Sequence, residues 1–261
     1  MNGKYALITG ASSGIGKEFA KLHASKGGNL VIVARREDRL SELKKELEQK
    51  YGITVEVIVK DLSLNQAAEE IYNEVKAKNI TIDYLINNAG FGGRGEFHIR
   101  SMEQDIQMIQ VNVITLTKLT KLFLPDFINR GEGKILNVSS TAATMPGPLQ
   151  AVYYATKAYV TSFGNAVWQE IKGTGVTLTT LMPGAMDTGF AKASDMENTP
   201  LFSKTMSPVD VAKAGYEGML KGKLNVIVGV TPLQRIFLAL TPFTPKKLMM
   251  KQIYEMQQEK K

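Results

Sequence analysis

The sequence predicts an α/β fold in which a parallel sheet is covered by helices on both faces. Two observations lead to this prediction. Short continuous apolar runs alternate with helical patterns along the chain, and strands separated by helices form parallel sheets. The run at 30–33 lacks the polar alternation of a half-exposed strand, so both faces of the sheet should be covered there. At 261 residues and 44% hydrophobic composition, the chain is long enough for a substantial core.

The predicted elements follow from these patterns in chain order. Each predicted strand is a mainly apolar run of three to six residues, and strands are expected at 6–8, 30–33, 54–59, 82–86, 134–138, 176–181 and 224–228. Each helix has apolar residues at intervals of three and four, and helices are expected from 17 to about 26 and at 36–51, 67–78, 102–128, 152–172 and 208–220. Residues 185–207 have no clear period and predict a loop with short helical pieces. No linker or repeat interrupts residues 1–230, so we expect one domain, followed by a short helical tail at 231–261.

The first strand ends in a glycine-rich turn. The run at 6–8 breaks at Gly10, and Gly14-Ile15-Gly16 leads into the first helix. Backbone N–H groups and the dipole at a helix N-terminus attract anions, and a turn without Cβ atoms lets a pyrophosphate approach the backbone. In this strand-turn-helix context, the motif predicts a dinucleotide site.

The composition argues against a metal site, a disulfide, a membrane span and a nucleic-acid-binding surface. There is no cysteine, and His23 and His98 are the only histidines, so we expect no metal site and no disulfide. No apolar run is long enough to span a bilayer, and the N-terminus shows no signal peptide, so a cytoplasmic location is expected. The net charge of +7 is interpreted as ordinary solvated surface, because no clustered aromatic and basic residues indicate nucleic-acid binding.

Four polar residues could take part in acid–base chemistry or hydrogen bonding, although a tyrosine and a lysine four residues apart also occur by chance on many helices. Tyr153 and Lys157 lie four apart on one predicted helix, where the ammonium could lower the pKa of the phenol toward neutrality. Ser140 follows a strand and could donate a hydrogen bond to a carbonyl, although a serine there is commonly a turn residue. Asn112 lies inside a predicted helix, where asparagine is a poor helix former and indicates a polar network or a bend. Tyr154 competes with Tyr153 but has no lysine four residues later.

Taken together, the motifs resemble those of the short-chain dehydrogenase/reductase family. The matching segments, in the family's order and spacing, are Thr9-Gly10-Ala11-Ser12-Ser13-Gly14-Ile15-Gly16, Asn87-Asn88-Ala89-Gly90, Asn112, Ser140, Tyr153-x-x-x-Lys157 and Pro183-Gly184. The resemblance covers about residues 4 to 230 and matches the compact single-domain branch. It implies a Rossmann-type doubly wound fold and reversible hydride transfer between a nicotinamide and a carbonyl or alcohol carbon.

The resemblance also implies a role for each catalytic residue. Tyr153 would protonate the carbonyl oxygen during reduction, and Lys157 would lower the pKa of Tyr153 and bind the nicotinamide ribose. Ser140 would orient and polarise the carbonyl; it is chosen over Ser139 because the family serine is the second of such a pair. Asn112 would hold a water that links Lys157 to bulk solvent.

Further residues would contact the cofactor by the same resemblance. The glycine turn would contribute Gly10, Ser12, Ser13, Gly14, Ile15 and Gly16. Asp61 and Leu62 would flank the adenine, and Asn88, Ala89 and Gly90 would line the adenosine ribose. On the nicotinamide side, Tyr153 and Lys157 would be joined by Pro183, Gly184 and Thr188.

The end of the second strand favours NADP over NAD. NAD enzymes place a carboxylate there to bind the ribose hydroxyls, whereas this chain has Arg35 and Arg36 and no acid before Glu37. A guanidinium suits phosphate oxygens, so Arg35 is expected to bind a 2′-phosphate. One departure is Ser13, because many NADP members carry a basic residue at that position.

The substrate side is less clearly encoded. Its predicted walls at 91–97, 141–150 and 185–206 contain phenylalanine, leucine and methionine, which favours a lipophilic ketone or aldehyde. The alternatives are a 3-oxoacyl-thioester reductase of fatty-acid metabolism and, from a different class, a catalytically quiet nucleotide-binding scaffold. The resemblance further implies a homodimer or homotetramer.

The tail at 231–261 lies outside the resemblance. A cap over the substrate mouth or a subunit contact is the favoured interpretation, followed by simple packing. A peripheral membrane contact is a further alternative, because apolar residues there lie among Lys246, Lys247 and Lys251.

Overall fold

A computed structural model describes residues 2–186, 189, 191, 194–197, 199 and 205–258. Within these residues, seven parallel strands form one sheet: β1 (Tyr5–Thr9), β2 (Asn29–Ala34), β3 (Val55–Val59), β4 (Ile82–Asn87), β5 (Gly133–Val138), β6 (Val176–Pro183) and β7 (Asn225–Val228). The helices that join them are α1 (Gly14–Ala24), α2 (Glu37–Tyr51), α3 (Ala67–Ala77), α4 (Met102–Ile109), α5 (Leu116–Arg130), α6 (Ala151–Glu170) and α7 (Pro208–Leu220). The predicted fold class is confirmed.

The strand order is β3-β2-β1-β4-β5-β6-β7. β2 and β3 lie on one side of β1, and β4 to β7 follow one another on its other side. The order therefore reverses between β1 and β4. In doubly wound sheets, the loops that leave the carboxyl ends of the strands diverge at this point and open a crevice for ligands.

Two apolar cores hold the helices against the sheet, one on each face. Neighbouring residues of β1 point in opposite directions, so Ile8 packs with Phe19 of α1 while Leu7 packs with Ile71 of α3 and Phe123 of α5. All five of these side chains are fully buried. The first core includes residues of α1, α2 and α7, and the second includes residues of α3, α5 and α6. β2 lacks polar alternation because both of its faces are covered.

The long helical element predicted at 102–128 is confirmed, with one departure from α geometry. A π-helical turn at Gln110–Thr115 lies between α4 and α5. Asn112 lies in this turn, and its side-chain amide bonds to neighbouring segments. Ser101 accepts a hydrogen bond from the backbone N–H of Gln104 and caps the start of α4.

The tail contains two helices within the described residues, α8 (Pro232–Leu240) and α9 (Lys246–Gln257), joined by a 3₁₀ turn at Thr241–Phe243. A capping box between Thr231 and Gln234 starts α8. None of the described helices has the length and apolarity needed to cross a bilayer.

Candidate active site

A cleft of about 890 Å³ opens at the carboxyl ends of the strands, where the strand order reverses. Its walls are the loops after β1, β2, β3, β4, β5 and β6 and the start of α6. The predicted site residues that line it are Gly10, Ser12, Ser13, Gly14, Ile15, Arg35, Arg36, Asp61, Leu62, Asn88, Ala89, Gly90, Ser140, Tyr153, Lys157, Pro183 and Gly184.

The loop after β1 exposes backbone to this cleft. Gly10 has a φ of +69° and Gly14 a φ of +55°, a conformation that glycine adopts without strain. Gly14 begins α1, whose first N–H groups have no partner within the helix. No acidic residue lies in the first turn of α1 to compete for them. The loop can therefore receive an anionic phosphate.

Gly16 has a packing role instead. It does not line the cleft, and a Cβ there would collide with the Gly10 carbonyl and with the Asn88 side chain. The Asn88 amide donates to the Thr9 carbonyl at 2.8 Å, which ties the end of β4 to the end of β1. Gly16 and Asn88 thus hold the glycine turn against β4, and the cofactor contact expected of Gly16 stays a prediction.

Two arginines stand at the end of β2. Arg36 donates to the Ser12 and Ser13 hydroxyls at 3.0 and 2.9 Å, so it lies across the glycine turn. Arg35 is largely exposed and lies 4.0 Å from a carboxylate oxygen of Asp61. Burial raises the pKa of Asp61, but hydrogen bonds from Ser63 and the charge of Arg35 outweigh it and bring that pKa below its usual value. Sequence reasoning assigned the phosphate contact chiefly to Arg35, yet Arg36 is the arginine bound to the turn.

The structure places Tyr153 and Ser140 together in the wall of the cleft, and a side-chain hydrogen bond joins them. Ser140 begins a 3₁₀ turn at Thr141–Thr144, where its oxygen accepts a hydrogen bond from the Ala142 N–H at 3.1 Å. Ser139 is buried, and its hydroxyl donates to the Lys157 carbonyl at 2.9 Å. Of the two serines, Ser140 is the one positioned to meet a substrate at the tyrosine.

The electrostatics of Tyr153 and Lys157 are dominated by burial. Burial raises the pKa of Tyr153 to about 12, and the hydrogen bond with Ser140 offsets part of that rise. Burial lowers the pKa of Lys157 to about 8. The Lys157 ammonium donates to the Val138 carbonyl at 3.0 Å and lies 5.8 Å from the centre of the Tyr153 ring. Burial is therefore the dominant influence on both groups, and the pKa of Tyr153 lies above its usual value, not below it.

Asn112 does not line the cleft. Its oxygen accepts from the Phe91 N–H at 3.1 Å, and its NH₂ group donates to the Phe91 carbonyl and to the Thr156 hydroxyl. A Cβ added to Gly90 would lie 3.0 Å from the Asn112 oxygen and 3.3 Å from the Lys157 ammonium. The side chain of Asn112 thus fixes the loop after β4 beside Lys157, and its amide is already occupied by protein groups.

Some site residues were missed, and some predicted ones lie outside the described residues. The latter are the predicted cofactor contact Thr188 and, on the predicted substrate walls, Phe190, Leu201 and Phe202. The substrate end of the cleft is lined by several polar side chains that sequence reasoning did not select: Arg94, Arg100, Gln104, Gln107, Gln150, Ser194 and Asp195. Of the predicted apolar wall residues, Phe91 and Met186 line the cleft. No group of three or more metal-ligating side chains is found in the described part of the chain.

Gln150 is the most informative of the missed residues. It is 3% exposed, and its amide N–H lies 3.3 Å from the Met196 sulfur, a weak acceptor. The amide oxygen has no partner among the described residues. Gln150 precedes α6 without capping it through its side chain, and Tyr153 follows three residues later. A substrate group that donates a hydrogen bond would satisfy the orphaned oxygen.

Comparisons with known proteins agree with this geometry. Residues 4–199 match the family described as short chain dehydrogenase. A solved short-chain dehydrogenase from Sphingobium yanoikuyae in complex with NADPH is 29% identical, with a TM-score of 0.83 over 95% of both chains. A short-chain dehydrogenase/reductase from Burkholderia phymatum in complex with NAD is 25% identical, with a TM-score of 0.81 over 92% of both chains.

A curated relative extends the match through the tail. The very-long-chain 3-oxoacyl-CoA reductase of Anas platyrhynchos is 31% identical over 255 residues, which cover 95% of this chain and 80% of that protein. In other curated relatives the match spans 62% to 65% of their length. The family match covers most of the chain and includes the glycine turn, Ser140, Tyr153 and Lys157. The chain therefore belongs to the short-chain dehydrogenase/reductase family, a family of oxidoreductases that act on CH–OH groups.

Proposed function

We propose that this protein transfers a hydride reversibly between a nicotinamide cofactor and the carbonyl carbon of a lipophilic ketone or aldehyde. The observation that carries the proposal is the grouping of Ser140, Tyr153 and Lys157 beside a glycine turn that can cradle a pyrophosphate. The glycine turn fits the pyrophosphate of this cofactor, and this fit does not depend on the family match. Backbone without Cβ atoms and the start of α1 face the cleft there. When bound, the cofactor supplies or accepts the hydride.

The side chains of the protein handle the proton and the carbonyl oxygen. Ser140 donates to the carbonyl oxygen, and the Tyr153 hydroxyl, which is hydrogen-bonded to Ser140, gives it a proton. Lys157 is held by the Val138 carbonyl, and an ammonium has further N–H donors for a ribose hydroxyl. An anionic cofactor in the cleft favours the charged form of Lys157, which in turn favours the tyrosinate.

NADP is the proposed cofactor, in preference to NAD. Arg35 and Arg36 both line the cleft at the end of β2, where NAD enzymes carry a carboxylate. Arg36 already binds the hydroxyls of Ser12 and Ser13, so a phosphate next to them would meet two guanidinium groups and two hydroxyls. Titration of the protein with NADPH and NADH, followed by nicotinamide fluorescence, tests this choice.

A Tyr153→Phe variant tests the reaction. We expect its kcat for NADPH-dependent ketone reduction to fall by about 10²- to 10⁴-fold, because the proton donor is removed. NADPH affinity should remain within a few-fold, since the ring is retained. Tyr159→Phe is the matched control: it removes a phenol from the same helix whose partner is Thr117. Equal loss in both variants, or no loss in Tyr153→Phe, would contradict the assignment.

A second proposed function is reduction of 3-oxoacyl thioesters. It is favoured by the similarity to very-long-chain 3-oxoacyl-CoA reductases. The cations Arg94 and Arg100 also line the substrate end of the cleft, although each is paired with an aspartate. Comparison of kcat/KM for a 3-oxoacyl-CoA and for a simple ketone of equal chain length distinguishes the two. A catalytically quiet scaffold is the remaining alternative, and reduction of any ketone that depends on Tyr153 rules it out.

We also propose a homodimer or homotetramer, as in the family. Three large side chains of the π turn, α4 and α6 remain partly exposed: Ile106 (58%), Ile114 (37%) and Tyr159 (40%). Size-exclusion chromatography with light scattering gives the mass directly. A monomer at micromolar concentration would refute this proposal.

A further inference from the structure

The helix α8 presents an apolar stripe to solvent. Leu233, Ile236, Phe237 and Leu240 recur at intervals of three and four, the spacing with which a helix normally faces a core. Yet none of the nine residues of α8 is buried. Leu233 is 76%, Ile236 58% and Leu240 52% exposed, and Phe243 in the following turn is 84% exposed. We call these four α8 residues together with Phe243 the apolar ridge.

The apolar ridge belongs to an ordered segment that is held at both ends. The capping box of Thr231 and Gln234 fixes the start of α8, and Arg235 donates to the Ile227 carbonyl of β7 at 2.9 Å. After the ridge, α9 returns to the protein body, where Met249 and Ile253 pack in a cluster that includes Tyr153 and Tyr154. The Gln257 amide donates to the Tyr154 hydroxyl at 3.2 Å. The segments before and after the apolar ridge are therefore bonded to or packed against the protein body, which holds the ridge at the surface.

Nearly all of the net charge lies in the same part of the chain. Residues 218–261 contain eight of the 32 lysines and arginines but two of the 25 acidic residues, so they carry +6 of the net +7. No acidic residue occurs between 218 and 254. Lys246, Lys247 and Lys251 follow the ridge directly. The positive charge is thus concentrated in this segment.

We propose that the apolar ridge and the flanking lysines dock the protein on an anionic lipid bilayer. Apolar side chains of an interfacial helix insert at the headgroup boundary, and adjacent lysines and arginines are attracted to acidic headgroups. A second copy of the chain suits this surface less well. A two-fold contact would bring two segments of equal charge, +6 each, against one another.

Vesicle co-sedimentation of the full-length protein tests the proposal. We expect binding to vesicles of phosphatidylcholine with 30 mol% phosphatidylserine, weak binding to phosphatidylcholine alone, and loss of binding as salt is raised. The double variant Lys246→Gln/Lys247→Gln should bind the acidic vesicles about thirtyfold more weakly, at about fivefold per cation. The matched control Lys45→Gln/Lys50→Gln removes two exposed lysines from α2 and should bind like the wild type.

The apolar part is tested by Leu233→Gln/Phe243→Gln, which should weaken vesicle binding by about tenfold or more. Its control is Ile99→Gln/Met102→Gln, which changes two similarly exposed apolar residues, 72% and 81%, outside the tail. Thermal melts confirm that each variant folds. Three results would overturn the proposal: equal binding by a variant and its control, no binding by the wild type, or conversion of an oligomer to monomers by Leu233→Gln/Phe243→Gln. The last would identify a second copy as the occupant. Ketone reduction is measured separately, so failure here leaves the proposed reaction intact.

Discussion

Lys157 is expected to destabilise the folded protein, although it is a catalytic residue. Burial brings its pKa from the ordinary 10.5 to about 8, so holding the ammonium in the folded chain costs about 3 kcal/mol at neutral pH. A Lys157→Met variant removes this cost and keeps most of the side-chain volume. It also removes the hydrogen bond to the Val138 carbonyl, which is worth about 1 kcal/mol. We therefore expect the variant to unfold with a free energy about 2 kcal/mol higher at pH 7, although it loses activity.

The pH dependence gives the sharper test. Between the folded pKa of about 8 and the ordinary value of 10.5, the unfolded chain binds the proton that the folded chain has released. The free energy of unfolding of the wild type should therefore rise with pH through this window relative to Lys157→Met. The advantage of the variant shrinks accordingly, reaches zero at about pH 10 and reverses above it, because the variant lacks the hydrogen bond to Val138. Urea denaturation followed by circular dichroism at pH 7 and pH 10 measures both values, with the exposed Lys45→Met as control. This reasoning is refuted if Lys157→Met is less stable than the wild type at pH 7 and the difference between their free energies of unfolding does not change with pH.

Three further predictions concern cofactor choice, acid stability and substrate choice. Arg35→Asp should lower the kcat/KM with NADPH, relative to the kcat/KM with NADH, by about 10- to 100-fold, because a charge-assisted bond to the 2′-phosphate is lost. If this ratio does not change, Arg36 is the phosphate contact. Burial lowers the pKa of His23 to about 4, so the unfolded chain gains a proton before the folded chain does as the pH falls from 6.5 to 4. The free energy of unfolding should then fall by about 3 kcal/mol in urea melts across that window, and His23→Gln should lack this dependence. Gln150→Leu should lower the preference for a hydroxyketone over its deoxy analogue by about tenfold. The control Gln107→Leu loses an amide that is already bonded to Glu103, so it should leave that preference unchanged. Equal effects in both variants would exclude Gln150 as a substrate contact.

The features that the sequence predicts best are those that depend on local spacing. Tyr153 and Lys157 share a helix face because they are four residues apart, and the glycines of the turn after β1 allow the positive φ angles found there. The parallel direction of the strands follows from the alternation of strands and helices. In each case the physical cause lies within a few residues or in one general packing rule.

What could not be predicted depends on contacts between distant segments. The π turn at Asn112 adds one residue to a helical repeat and leaves the apolar pattern of the long helix nearly intact. The position of Arg36 across Ser12 and Ser13 depends on how two loops meet. Gln150 resembles an ordinary residue before a helix, and only its burial without a good partner marks it as part of the site.

The hydrogen bond between Gln257 and Tyr154 has a consequence for the active site. It joins α9 to a residue 103 positions earlier, next to Tyr153. The wall behind Tyr153 is thus built from segments that are far apart in the sequence, so a change that loosens α9 can disturb the catalytic tyrosine from a distance. A chain cut short before α9 would leave Tyr154, Met108 and Ala142 without the apolar cover that Met249 and Ile253 provide.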